Sequence, residues 1–68
     1  MDKQLLMSCV VRYDKTQGAL ANAMGLSLSR LNAKINANGA QFNQDEIAFI
    51  KNRYDLSDDQ VIEIFFKQ

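Results

Sequence analysis

Proline is absent from this chain, and glycine occurs only at Gly18, Gly25 and Gly39. These two residues interrupt helices most strongly, so a chain with so few of them can run as nearly continuous helix. The apolar positions agree. Leu5, Leu6, Cys9, Val10 and Tyr13 make one wide stripe at helical spacing and predict a helix over 3–13. Leu20, Ala21 and Met24 predict a short second helix over 17–24, and Leu31 and Ile35 a third over 28–36. Ile47, Ile50 and Tyr54 predict a fourth over 44–54, and a fifth is expected over 58–67. Start signals precede each of the last four. Thr16 and Ser27 carry the side-chain oxygen of an N-cap. Asn43 with Glu46, and Ser57 with Gln60, have capping-box spacing. Asp58 and Asp59 fall in a first turn, where the helix dipole favours negative charge. Gly25 and the pair Asn38-Gly39 are the expected stops. Leu26 is expected to plug the core, and Phe42 to tuck its ring under the loop that follows it. The chain therefore reads as a single all-α domain of five helices, near the lower size limit for folding without staples.

Inventory removes several function classes. Cys9 is the only cysteine and histidine is absent, so neither an intrachain disulfide nor a Cys/His metal site can form. Cys9 reads as a small buried hydrophobe. No nucleophile–base pair and no glycine-rich phosphate loop is present, so an enzyme is not expected, nor a cofactor or small-molecule ligand. The first residues lack the features of a signal peptide, and no run approaches the ~18 apolar residues of a membrane span. A cytoplasmic protein with no membrane partner is expected. The formal net charge is zero. It is divided unevenly: residues 1–39 carry five basic and two acidic side chains, residues 40–68 three basic and six acidic. A basic half of that kind can face phosphate while an acidic half points away.

The informative segment is 16–36, TQGALANAMGLSLSRLNAKIN. It is built as a pair of short helices. Ala21 is small where the two would cross, and Gly25 can take the positive φ of a tight turn. Leu20, Leu26 and Leu31 would hold the crossing, and Ser27 would start the second helix with its leading end free.

With Thr16-Gln17, Leu20-Ala21, Gly25-Leu26-Ser27, Leu31 and Ile35-Asn36 in these positions, the segment resembles the helix-turn-helix of the phage repressor family that includes Cro and the Xre-type regulators. Asp45-Glu46-Ile47, Leu56-Ser57 and Ile64-Phe65-Phe66 are similar to the tail of small phage-encoded members, so the resemblance covers about three quarters of the chain. It implies a five-helix lambda-repressor-like DNA-binding domain and a Cro-like transcriptional regulator, whose second motif helix reads the major groove of a palindromic operator. By the same resemblance, Thr16 and Gln17 would meet the DNA backbone at the start of the first motif helix, and Gln17 could also reach a base. Ser27, Leu28, Ser29, Asn32 and Ala33 would line the groove, and Arg30 would reach guanine or clamp a phosphate. Lys15, Lys34, Asn36 and Asn38 would flank them as phosphate contacts. Two departures stand out. Lys34 occupies a position that is often apolar, with Ile35 taking the inward load one residue later. Leu28 and Ala33 stand where better-studied relatives carry polar base-reading residues; they can meet thymine methyl groups but cannot form bidentate hydrogen bonds.

The last predicted helix carries more apolar surface than one face can hide. Val61, Ile64 and Phe65 form one stripe; Ile62 and Phe66 form another, which Phe49 can join. Phe49, Ile62 and Phe66 are the candidate contacts of a homodimer, which would read two half-sites about one helical turn apart. The alternative is that both stripes serve the domain's own core. A rival function also follows from the zero net charge and the apolar groove positions: a small protein-interaction module, an antirepressor or modulator, that binds a partner regulator rather than DNA.

Overall fold

The computed structural model describes residues 1–37 and 42–66. Every regular element among them is helical. They run α1 (Lys3–Tyr13), α2 (Gln17–Met24), α3 (Leu28–Asn36), α4 (Gln44–Arg53), α5 (Asp58–Val61) and a π-helical turn (Ile62–Phe66) that continues α5. No helix among the described residues is long and apolar enough to cross a membrane. The expected turn at Asn38-Gly39 and the end of the last helix at Lys67 lie outside the described residues.

Each α-helix opens on a side chain that accepts from the backbone N–H three residues on. Thr16 accepts from Ala19 at 3.2 Å and Ser27 from Arg30 at 3.2 Å. Asn43 and Glu46 close a reciprocal capping box at 2.8 and 3.0 Å, and Ser57 and Gln60 another at 3.1 and 2.8 Å. Asp2 caps α1 through Leu5 at 3.0 Å. Helix α2 ends at Gly25, with φ 71° and ψ 25°. The Gly25 N–H meets the Asn22 carbonyl at 3.1 Å and the Leu26 N–H meets Ala21 at 2.9 Å, so two trailing carbonyls are satisfied as the chain reverses. Helix α4 stops the same way on Asp55 (φ 53°), with Leu56 bonded back to Lys51 at 2.9 Å. Aspartate tolerates this left-handed region better than most residues do.

The core is a single cluster drawn from every helix: Leu6, Val10, Leu20, Ala21, Leu31, Ile35, Ile50, Val61 and Ile64, joined by Phe42, Tyr54 and Leu56 from the connections. Helix α2 packs on α3, and α1 on α2 and on the π-helical turn. The N-terminus is tied to the other end of the chain by the Asp2 N–H, which donates to the Ile64 carbonyl at 2.6 Å.

Several expectations need correction. Helix α4 ends at Arg53, and Tyr54 is its C-cap. The last helix widens into a π turn after Val61, and both Ile64 and Phe65 then turn inward. Phe42 is buried and meets Phe65 edge-on, with ring centroids 5.7 Å apart. Leu26 is half-buried and does not join the core, because the Gly25 turn leaves it at the margin of the α2–α3 crossing. Tyr13 is half-exposed and stacks on Tyr54 at 5.2 Å, outside the buried stripe of α1.

Candidate nucleic-acid interface

Helix α3 is fixed from behind and open in front. Leu31 and Ile35 are fully buried. At ~100° of rotation per residue, Ser29, Ala33 and Asn36 fall on the opposite side, and all three are exposed. Arg30 is exposed on one flank; on the other, Leu28 is exposed and Asn32 half-buried. Ser27 is exposed as well, with its hydroxyl engaged by the Arg30 N–H. One donor of the first turn is thereby satisfied; the Leu28 and Ser29 N–H groups head the positive end of the helix dipole.

The other predicted contacts divide. Lys15 and Thr16 are exposed at the corner before α2, and Lys15 is held at φ 70°. That corner is anchored by Asp14, whose side chain is 6% exposed. Asp14 accepts from Arg53 through Nη2 at 2.6 Å and Nε at 3.0 Å, and from the Tyr54 hydroxyl. The Arg53 hydrogen bonds hold the Asp14 carboxyl below the ordinary carboxylate range. Burial, with Asp14 alongside, pushes the Tyr54 hydroxyl up.

Gln17 departs from expectation. Its amide turns toward α1, with Nε2 donating to Met7 Sδ at 3.4 Å and Oε1 buried without a partner among the described residues. Lys34 also turns away from solvent. Its Nζ lies 3.2 Å from Glu46 Oε1, in a pair with both side chains less than one-fifth exposed. Glu46 is thus shared between the α4 capping box and Lys34, and the Lys34 ammonium is engaged within the protein. Asn36 accepts from Lys3 Nζ at 2.7 Å. This brings to the end of α3 a cation that sequence reading did not place there, since no local spacing connects residues 3 and 36. Asn38 lies outside the described residues.

The surface away from α3 has a different character. Arg12 lies over the Tyr13 ring at 5.3 Å and lines a cavity of about 200 Å³ with Cys9, Gln60 and Glu63. Burial raises the Cys9 thiol above its ordinary value. Phe66 is 64% exposed, Ile62 48% and Phe49 38%. The two stripes of the last helix are therefore separated: Val61 and Ile64 are buried, while Ile62 and Phe66 face outward, and the expectation that both could serve the internal core fails. Among the described residues, no three Cys, Asp or Glu side chains gather as a metal-ligand set.

No protein-family model, curated protein or solved structure matches this chain.

Proposed function

We propose that this chain is a sequence-specific DNA-binding transcriptional regulator, a small Cro-like switch protein that inserts α3 into the major groove as half of a homodimer. In this reading α2, the Gly25 turn and α3 act as a helix-turn-helix. The observation that carries it is the front of α3: a helix with a buried back presents Ser27, Leu28, Ser29, Arg30 and Ala33 at the surface. An amphipathic helix standing at the surface with a free leading end has the shape a major groove admits. Ser29 and Ala33 keep its outermost face shallow, and Arg30 supplies charge for guanine or phosphate. Lys15, and Lys3 beside Asn36, are the cations available for flanking phosphates. The exposed Ile62 and Phe66, with Phe49, are the surface proposed for the second copy.

The deciding experiment is selection of bound duplexes from a random pool, followed by titration of the recovered duplex against salt. A palindromic consensus is expected, with log K falling linearly in log salt by about 0.9 per phosphate neutralised. Arg30→Ala should weaken binding by about 1–3 kcal/mol while leaving helical circular dichroism unchanged. Failure to retain any duplex at low salt overturns the proposal. That outcome favours the rival reading, a module that binds a partner regulator, for which the observation is Leu28: a large apolar side chain left 48% exposed at the head of α3.

A further inference from the structure

Resting on that DNA-binding reading, we infer that Leu28 selects thymine: its isobutyl group meets the 5-methyl group of one thymine in each half-site. Leu28 is the first residue of α3 and the one large apolar side chain that α3 leaves exposed. Helical side chains lean toward the N-terminus, so Leu28 extends beyond the leading end of the helix. Leu28 stands on a flank of the helix, and Ser29 and Ala33 on the outermost face are too short to hold the helix off the groove floor.

The chemistry of the groove leaves one partner. Along the major-groove edges guanine and adenine present N7 with O6 or an amino group, and cytosine presents an amino donor. Thymine alone presents a methyl group. Leucine makes no hydrogen bond, so against the other three bases it desolvates polar edges without return. Against thymine it buries methyl on methyl. Discrimination at this position is therefore apolar, while Arg30, two residues on, is left to contact guanine or the backbone.

The test uses the full chain and the duplex recovered from the random pool, resynthesised with deoxyuridine replacing thymidine at one position at a time. Deoxyuridine keeps every hydrogen-bonding atom and removes only the methyl group. One position in each half-site should show a loss of about fourfold in affinity, the scale of one buried methyl group. Leu28→Ala should bind the thymidine duplex more weakly and be indifferent to deoxyuridine at that position. Leu28→Gln should shift the preference there toward adenine, which glutamine can engage bidentately. Because Leu28 lies outside the buried cluster, both variants should remain folded by circular dichroism. A duplex that binds with no methyl-sensitive thymine, or a Leu28→Ala variant that keeps the wild-type sensitivity, overturns this inference and leaves the DNA-binding reading intact. Absence of any bound duplex overturns both.

Discussion

At Gly25 the chain must take a φ of 71°, and an added Cβ would meet no atom within 4 Å. The demand at this position is therefore conformational and owes nothing to space. Gly25→Ala should cost about 1–2 kcal/mol, the ordinary penalty of the left-handed region for a residue with a Cβ. For a domain this small the corresponding fall in Tm is on the order of 7–14 °C. Gly25→Asn should lose much less, since asparagine visits that region more readily. A Gly25→Ala protein melting with the wild type would mean that the turn does not need its left-handed residue. Serine and threonine at the caps act at the same scale. Thr16 and Ser27 each satisfy one backbone donor, and each such cap is worth about 1 kcal/mol.

Between elements, the decisive arrangement is the anchor of Asp14 to Arg53 and Tyr54. It ties the α1–α2 corner to the end of α4 across forty residues of sequence, and it fixes where Lys15 and Thr16 emerge. The Asp14 carboxyl is held low in the folded state, chiefly by Arg53. Its contribution to stability is complete above the unfolded value of 3.8 and is lost as the pH falls through the depressed folded value. The buried Tyr54 hydroxyl acts with the opposite sign. Its contribution is present below the unfolded value of 10.0 and declines as the pH rises above it. Thermal melts of Asp14→Asn should therefore lie below wild type at pH 7 and converge with it in acid. Parallel profiles across the acid range would show that Asp14 contributes nothing through its charge. The π turn after Val61 is the other feature of this scale. Where the i→i+5 pattern replaces the α pattern, the ladder widens, and Phe65 packs on Phe42 while Phe66 faces out.

For the molecule as a whole, the two charge halves of the sequence are not two lobes. Lys34 pairs with Glu46, and Asp14 with Arg53, across the boundary between them. Helix α1 packs on the acidic C-terminal turn, while α3 packs on α2. Arg30 stays exposed on α3. On the proposed dimer, Phe66→Asp should reduce the sedimenting species from two chains to one without loss of helical signal, because an exposed ring contributes little to the fold of the single chain. Unchanged mass would remove Phe66 from any interface between copies.

Local chemistry alone determined the helices and, apart from the ends of α4 and α5, their limits. The absence of proline, the apolar periodicity and the oxygen-bearing caps at Thr16, Ser27, Asn43 and Ser57 act within a few residues, so one sequence suffices to place α1 to α5. Local rules also indicated the reversal at Gly25 and the outward Ile62 and Phe66. Tertiary structure decided which polar groups remain available. Lys34 is taken by Glu46, the Gln17 amide by Met7, and Asn36 by Lys3, because partners distant in sequence reach them once the core has closed. No spacing rule reports such meetings: they depend on how the helices cross, and the crossing is set by the whole buried cluster.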